Sequence, residues 1–280
     1  MKKYSFLFFI LLYIPSMAQM TGGILLGPSL NLMSAAGLKK QVLNSSENLG
    51  VNVNYSSRMR PGFSLGGYLE YMVKPDLFLM GELALNIRST RILLNSYTSS
   101  LNPSGNGGTV RVTSEANFST FSVSLPLYTK YILQKEKNIY GIAGFLLSFS
   151  AAPRLRSDEE RVDVTYLNNI IRSTETKEID TKVKINKYQL FAPSLMLGVG
   201  KPFRIESRKI NIELRYALPL YGGRLHTTND SFQGEAMNNS VFSNTLPYST
   251  IRNFKTHSLF LIFSYPLFNF EAPKVEEEAF

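Results

Sequence analysis

Apolar and polar residues alternate along most of the chain. In the stretch 76–88, Leu83 and Leu85 share one face, whereas Glu82 and Asn86 share the other. Because successive side chains of a strand point to opposite faces, alternation over this length predicts β-strands. The same pattern predicts eight strands, at 21–31, 62–74, 76–95, 112–133, 138–152, 182–200, 209–222 and 255–268.

The connections between the predicted strands alternate in length. Short connections lie at 74–76, 134–138 and 203–208, and long ones at 32–61, 96–111, 153–181 and 223–254. Short turns at one end and long loops at the other are typical of barrels in the bacterial outer membrane, where the short turns face the periplasm. The apolar faces also reach the length of about 9–11 residues that a tilted strand needs to cross a bilayer.

A soluble β-sandwich would alternate in the same way. Charges opposite the apolar faces in mid-strand, together with loops sorted by length, favour a barrel instead. The predicted fold is therefore all-β, an eight-stranded antiparallel transmembrane β-barrel with short periplasmic turns and long extracellular loops. Alternation in 161–166 and 181–185 predicts that strands five and six continue beyond the membrane, with a turn near 173–176. Residues 111–113 similarly extend strand four toward a turn at 103–108.

The N-terminus has the features of a secretory signal peptide. Lys2 and Lys3 precede an apolar run at 4–14, and Ser16-Met17-Ala18 has the small-x-small pattern of a cleavage site. This run is shorter than the roughly 20 residues of a membrane-spanning helix. We therefore expect a signal peptide at 1–18, a barrel at 19–270 and a short acidic periplasmic tail at 271–280. The expected location is the outer membrane of a Gram-negative bacterium after cleavage.

The amino-acid composition excludes several kinds of functional site. The chain has no cysteine, which excludes a disulfide scaffold, a thiolate zinc site and a cysteine nucleophile, and it has only two histidines. The formal net charge is +9. For an exported barrel, anionic lipid rather than nucleic acid is the expected partner. His226 and Asp230 share the last long loop, so a hydrolase or acyltransferase remains an alternative, although we expect no enzyme and no cofactor.

Charged residues also lie on the non-apolar faces of the predicted strands. Exposed to lipid at the midplane, an arginine or lysine would cost about 2–4 kcal/mol, so these side chains are expected inside the barrel. Within a narrow lumen they must pair or stay hydrated. The predicted lumen charge network consists of Glu70, Glu82, Arg88, Lys130, Glu213 and Arg215.

A second set of cations lies where strands meet their long loops. Guanidinium groups bind phosphate bidentately, so these residues are candidates to contact phosphates of lipopolysaccharide in the outer leaflet. The alternative is that they are ordinary solvated loop charges. The candidate outer-rim residues are Arg58, Arg60, Arg91, Arg154 and Arg156.

Several of these strands are similar to those of the PorT-like outer-membrane β-barrel family. The matching phrases are Gly66–Tyr71, Leu77–Leu85, Phe121–Tyr131, Tyr140–Gly144 and Ile212–Tyr216. The chain departs from the pattern at Ser124, where the strand-four phrase lacks a glutamate, and it extends beyond the last strand.

The resemblance implies an eight-stranded barrel in a family of which some members take part in type IX protein secretion. The expected function is a non-enzymatic barrel that is an accessory of such secretion, with other outer-membrane or periplasmic secretion components as partners, or that binds through its loops. A small-solute channel is a further alternative, which Tyr68, Glu70, Glu82 and Lys130 should obstruct.

Overall fold

Every regular element of the computed structural model is a β-strand within the described residues, which are 20–35, 52–99, 106–183, 185–188, 191–205, 208–227 and 251–270. The strands are β1 (Met20–Ala35), β2 (Asn52–Lys74), β3 (Leu77–Ser99), β4 (Gly107–Gln134), β5 (Ile139–Leu167), β6 (Ile170–Val183), β7 (Ile185–Tyr188), β8 (Phe191–Ile205), β9 (Arg208–Pro219), β10 (Gly223–Thr227) and β11 (Ile251–Phe270). The predicted signal peptide and acidic tail lie outside the described residues.

Eight of these strands close into a barrel. They pair antiparallel in the order β1-β2-β3-β4-β5-β8-β9-β11, and β11 pairs back onto β1. The closing register places Met20 opposite Phe270 and Leu30 opposite Leu259. The prediction of an eight-stranded antiparallel barrel is therefore confirmed. The remaining segments, β6, β7 and β10, pair with the barrel strands or with one another.

The alternation in the sequence becomes an apolar outside and a polar inside. On β3, Leu83 is 60% exposed and Ile87 is 55% exposed, whereas Glu82 and Asn86, which directly precede them, are buried. The outward apolar face of β3 runs from Leu77 to Ile87. At about 3.4 Å per residue and a tilt of about 40°, that run spans roughly 25 Å, the height of the apolar band of outer-membrane barrels.

Five strands continue past this band and form a sheet outside the membrane. Its pairings run across β2, β3, β4, β5 and β6, reaching Ser99 opposite Thr109 and Gly107 opposite Tyr166. We call this the outer sheet. Strands β1, β8 and β9 do not take part in it, so the barrel is taller on one side within the described residues.

The β5–β6 hairpin turns at Asn168-Asn169, so the predicted turn near 173–176 was wrong. Both asparagines have positive φ, at 51° and 62°, and Leu167 lies opposite Ile170. A two-residue hairpin loop with both central residues at positive φ is the type I′ turn, which matches strand twist and accepts asparagine. The Ser/Thr-rich segment that suggested the turn is paired strand instead.

The short connections at 75–76 and 135–138 form tight turns at the periplasmic end. Pro75-Asp76 joins β2 to β3, and Ile132 of β4 donates its backbone N–H to the Asp76 carbonyl at 3.0 Å. Lys135 lies 2.9 Å from the Asp76 carboxylate, and this hydrogen bond raises the pKa of the lysine. No described segment is a helix long and apolar enough to cross a bilayer.

Candidate functional site

Four charged side chains are buried in the middle of the barrel. Glu82 of β3, Lys130 of β4 and Glu213 and Arg215 of β9 are each at most 3% exposed, and Glu70 of β2 lies beside them. Their place follows from alternation, because each lies between two outward-facing residues of its strand. We call these five residues the charged plug.

Arg215 is the centre of the charged plug. It holds Glu82 bidentately, with Nη1 at 2.8 Å from Oε2 and Nη2 at 2.7 Å from Oε1. Its Nε donates to Glu213 Oε2 at 2.7 Å, and Nη2 contacts the same oxygen. One guanidinium therefore bridges carboxylates from two sides of the barrel, a geometry that the planar fork of arginine favours.

Lys130 forms the second half of the plug. Its Nζ lies 3.1 Å from Glu70 Oε2 and 2.9 Å from Glu213 Oε1. Counting from the periplasmic turns places Lys130 level with Glu82, but the register sets Lys130 opposite Phe78, four residues away from Glu82. Neighbouring barrel strands are staggered by the shear of the barrel. Two residues that lie equally far from their turns therefore need not lie opposite each other.

Tyrosines complete the plug. Tyr128 donates to Glu82, accepts from Arg215 Nη2 at 2.7 Å and lies 4.8 Å beneath the guanidinium. Tyr140 donates to Glu213 at 2.7 Å. Alternation did not single out Tyr140, because the strands at 138–152 and 21–31 alternate less cleanly than the others. Gly200 makes room for it, since a Cβ there would lie 2.5 Å from the Tyr140 ring.

Arg88 lies apart from the plug, toward the outer end of the lumen. It is six residues beyond Glu82 on β3, a distance of roughly 20 Å along the strand. Its Nη2 donates to Ser148 Oγ at 3.1 Å, and the guanidinium lies 5.8 Å from the Phe260 ring. The structure thus brings five of the six predicted lumen residues together and places Arg88 in a separate, hydroxyl-lined layer.

The five predicted rim arginines fall on one part of the outer sheet. Three of them lie on a single row, because Arg58 is opposite Arg91, Arg91 is opposite Asn117, and Asn117 is opposite Arg156. We call the set of Arg58, Arg60, Arg91, Arg154 and Arg156 the arginine band.

The membrane side of the arginine band is apolar. Arg154 lies opposite Ser119, which is two residues from Phe121 on β4. Phe121 in turn lies opposite Ile87, and Ile87 opposite Phe63, both large and exposed. The arginine band therefore begins where the apolar belt ends.

The alternative enzymatic site is only partly visible. The backbone of His226 on β10 lies opposite Lys187, while Asp230 lies outside the described residues. Among the side chains that the structure describes, no group of three potential ligands could hold a metal ion.

A family model for the outer membrane protein beta-barrel domain matches residues 18–221. The chain belongs to this family. The match begins beside the predicted cleavage site and takes in most of the barrel. No curated protein matches the chain.

Solved outer-membrane proteins also resemble the chain. One is Ail, the attachment invasion locus protein of Yersinia pestis, in complex with the heparin analogue sucrose octasulfate, at 11% identity and a TM-score of 0.30, covering 91% of this chain and 99% of that one. Another is OprG from Pseudomonas aeruginosa, at 11% identity and a TM-score of 0.32, covering 91% and 96%. CarO of Acinetobacter baumannii matches at 15% identity and a TM-score of 0.23, covering 85% and 96%.

Proposed function

We propose that this family member is a non-enzymatic, non-conducting barrel that carries the outer sheet as a binding surface. The observation that supports a non-conducting barrel is the charged plug. Arg215 and Glu82 join opposite sides of the lumen, and Tyr128 and Tyr140 fill the space beside them. An eight-stranded barrel has an interior just wide enough for side chains, so we expect a layer of this kind to leave no continuous water path.

The dimensions and the tip of the outer sheet support its role as a binding surface. Strand β5 continues from Ala151 to Leu167 beyond the apolar belt, roughly 50 Å along the strand at about 3.3 Å per residue. At its tip, Ile170 is 70% exposed and Ile171 is 60% exposed. Leu167, which lies opposite Ile170 and so shares a face with it, is 40% exposed, and contiguous apolar side chains in water are a feature of protein interaction sites.

The proposed partners follow from the surroundings of the barrel. Outer-leaflet lipid, including lipopolysaccharide, surrounds the apolar belt. The PorT-like resemblance supports an accessory role in protein secretion, with other outer-membrane or periplasmic secretion components as partners. A small-solute channel is the competing function. A conductance measurement distinguishes it from a non-conducting barrel.

The non-conducting state is tested in a planar lipid bilayer. The purified full-length barrel should show no discrete current steps above the baseline, while a general porin inserted in the same bilayer shows that the recording detects them. Discrete steps from the wild-type protein would refute the proposal and support a channel.

The binding role is tested by shortening the β5–β6 hairpin without changing its register. Deleting 162–167 and 170–176 leaves Arg161 and Lys177, which pair in the native hairpin, flanking the same Asn168-Asn169 turn. Cross-linking in intact cells should recover a partner protein with the full chain and lose it with the shortened hairpin, at equal amounts of folded barrel. Identical cross-linked products from both proteins would contradict display by this hairpin.

A further inference from the structure

The arginine band places like charges directly opposite one another. Arg58 of β2 faces Arg91 of β3 across the same sheet surface, and the Cβ atoms of such pairs are about 4.5–5.5 Å apart. Like charges in this position destabilise a sheet unless an anion lies between or beside them. The counter-charges of the arginine band therefore decide whether it is a closed ion-pair cluster or an open site.

Within the described residues, two carboxylates pair with members of the arginine band. Glu115 lies 2.8 Å from Arg91 Nε and 3.4 Å from Arg60 Nη2, so one carboxylate serves two guanidinium groups. Asn117 accepts from Arg60 at 2.8 Å and holds the same cluster. Asp158 lies 3.4 Å from Arg156. Glu115 and Asp158 thus serve three of the five guanidinium groups, and neither carboxylate is paired with Arg58 or Arg154.

We propose that the arginine band binds phosphate groups of lipids in the outer leaflet. Its position supports this, since it begins at the upper edge of the apolar belt, the height at which lipid headgroups lie. Its chemistry supports it as well, because guanidinium groups form bidentate, charge-assisted hydrogen bonds with phosphate. The inference requires only that the barrel spans the membrane, and it is independent of whether the β5–β6 hairpin binds a partner protein.

The band also has the right size for a headgroup rather than a single ion. Strands β2 and β5 are three strand spacings apart, about 14 Å at about 4.8 Å per spacing. Exposed arginines stand at both ends of this width, Arg58 at one and Arg154 and Arg156 at the other. A phosphorylated glycolipid covers such a width, whereas one inorganic phosphate contacts one end of it.

The test measures lipid binding by the purified full-length barrel in phosphatidylcholine nanodiscs. The probes are fluorescent lipid A with its phosphates intact and the same lipid A after enzymatic dephosphorylation. The variant is Arg58→Gln/Arg154→Gln/Arg156→Gln, chosen because it leaves Glu115 with both of its guanidinium partners. The matched control, Lys74→Gln/Lys137→Gln/Lys209→Gln, removes three exposed cations from the periplasmic end.

The phosphorylated probe should bind the wild type and the control equally. It should bind the arginine variant about tenfold or more weakly, the effect of losing at least one charge-assisted hydrogen bond. Equal binding of the dephosphorylated probe, unchanged affinity in the arginine variant, or an equal loss in the control would overturn the proposal. Displacement of lipid A by inorganic phosphate at comparable concentration would overturn its assignment to lipid. Heat-modifiable migration checks that all three proteins are folded.

Discussion

Replacing Arg215 by methionine tests whether the charged plug stabilises the barrel. Methionine preserves much of the volume but removes the guanidinium that bridges Glu82 and Glu213. Glu82 then retains Tyr128 as its partner, and Glu213 retains Lys130 and Tyr140. The perturbation therefore leaves one carboxylate in the lumen without a cation.

Breaking a buried ion pair by removing one partner typically costs about 3–5 kcal/mol. We expect Arg215→Met to lower the free energy of unfolding by about that amount, since both partners are buried and the contact is bidentate. Adding Glu82→Gln removes the unpaired carboxylate. The double variant should therefore be more stable than Arg215→Met alone, with a coupling energy of about 1–3 kcal/mol between the two positions.

The assay is reversible urea unfolding of the barrel in lipid vesicles, with the folded fraction read from heat-modifiable migration on gels. Lys135→Met serves as the control, because its ion pair with Asp76 lies on the exposed periplasmic surface and should change the midpoint little. An Arg215→Met protein as stable as wild type would refute a stabilising plug. A double variant with additive losses would refute the direct coupling between Arg215 and Glu82.

Three further predictions concern the backbone and the tail. Gly200→Ala should lower the free energy of unfolding by about 1–3 kcal/mol in the same assay, because the new Cβ meets the Tyr140 ring. Gly67→Ala should be tolerated, because its Cβ meets nothing closer than 3.5 Å. Equal effects of the two substitutions would contradict the packing argument. Asn168→Val should lower the stability of the β5–β6 hairpin by about 1–2 kcal/mol, because valine is disfavoured at the positive φ of this position. Hydrogen exchange should become faster in the hairpin and stay unchanged in the barrel. Unchanged exchange in the hairpin would contradict the prediction. Deleting 271–280 should leave a heat-modifiable barrel in the membrane, because β11 already closes on β1 at Phe270, and failure to assemble would give the tail a role in insertion.

The barrel was predictable because the alternation of apolar and polar residues recurs in each of its eight strands. Each outward face must be apolar for about ten residues, so Leu83, Leu85 and Ile87 mark the membrane, and Glu82, directly before Leu83, must face inward. The same signal fades outside the membrane, where both faces of a strand meet water. That is why the hairpin turn was misplaced there, while the turns at the periplasmic end were not.

The members of the lumen network were predictable, but their contacts were not. Alternation assigns Lys130 and Arg215 to the inside without reference to any other strand. Which carboxylate each one meets depends on the stagger between strands and on pairing across the lumen, as between Glu82 on β3 and Arg215 on β9. Neither is encoded in the spacing along one strand. Arg88 lies inside by the same rule, yet its height separates it from the plug.

The distribution of charge argues that the binding chemistry of this barrel lies outside its lumen. In the plug, three carboxylates face two cations within the described residues, and each group is held by a partner at 3.1 Å or less. A ligand there would have to break contacts that the interior makes expensive to lose. On the arginine band, within the described residues, Glu115 and Asp158 pair with three of the five arginines, and Arg58, Arg154 and Arg156 are exposed. An added anion there relieves repulsion and breaks no buried pair. We therefore expect anion binding at the outer rim and not in the lumen.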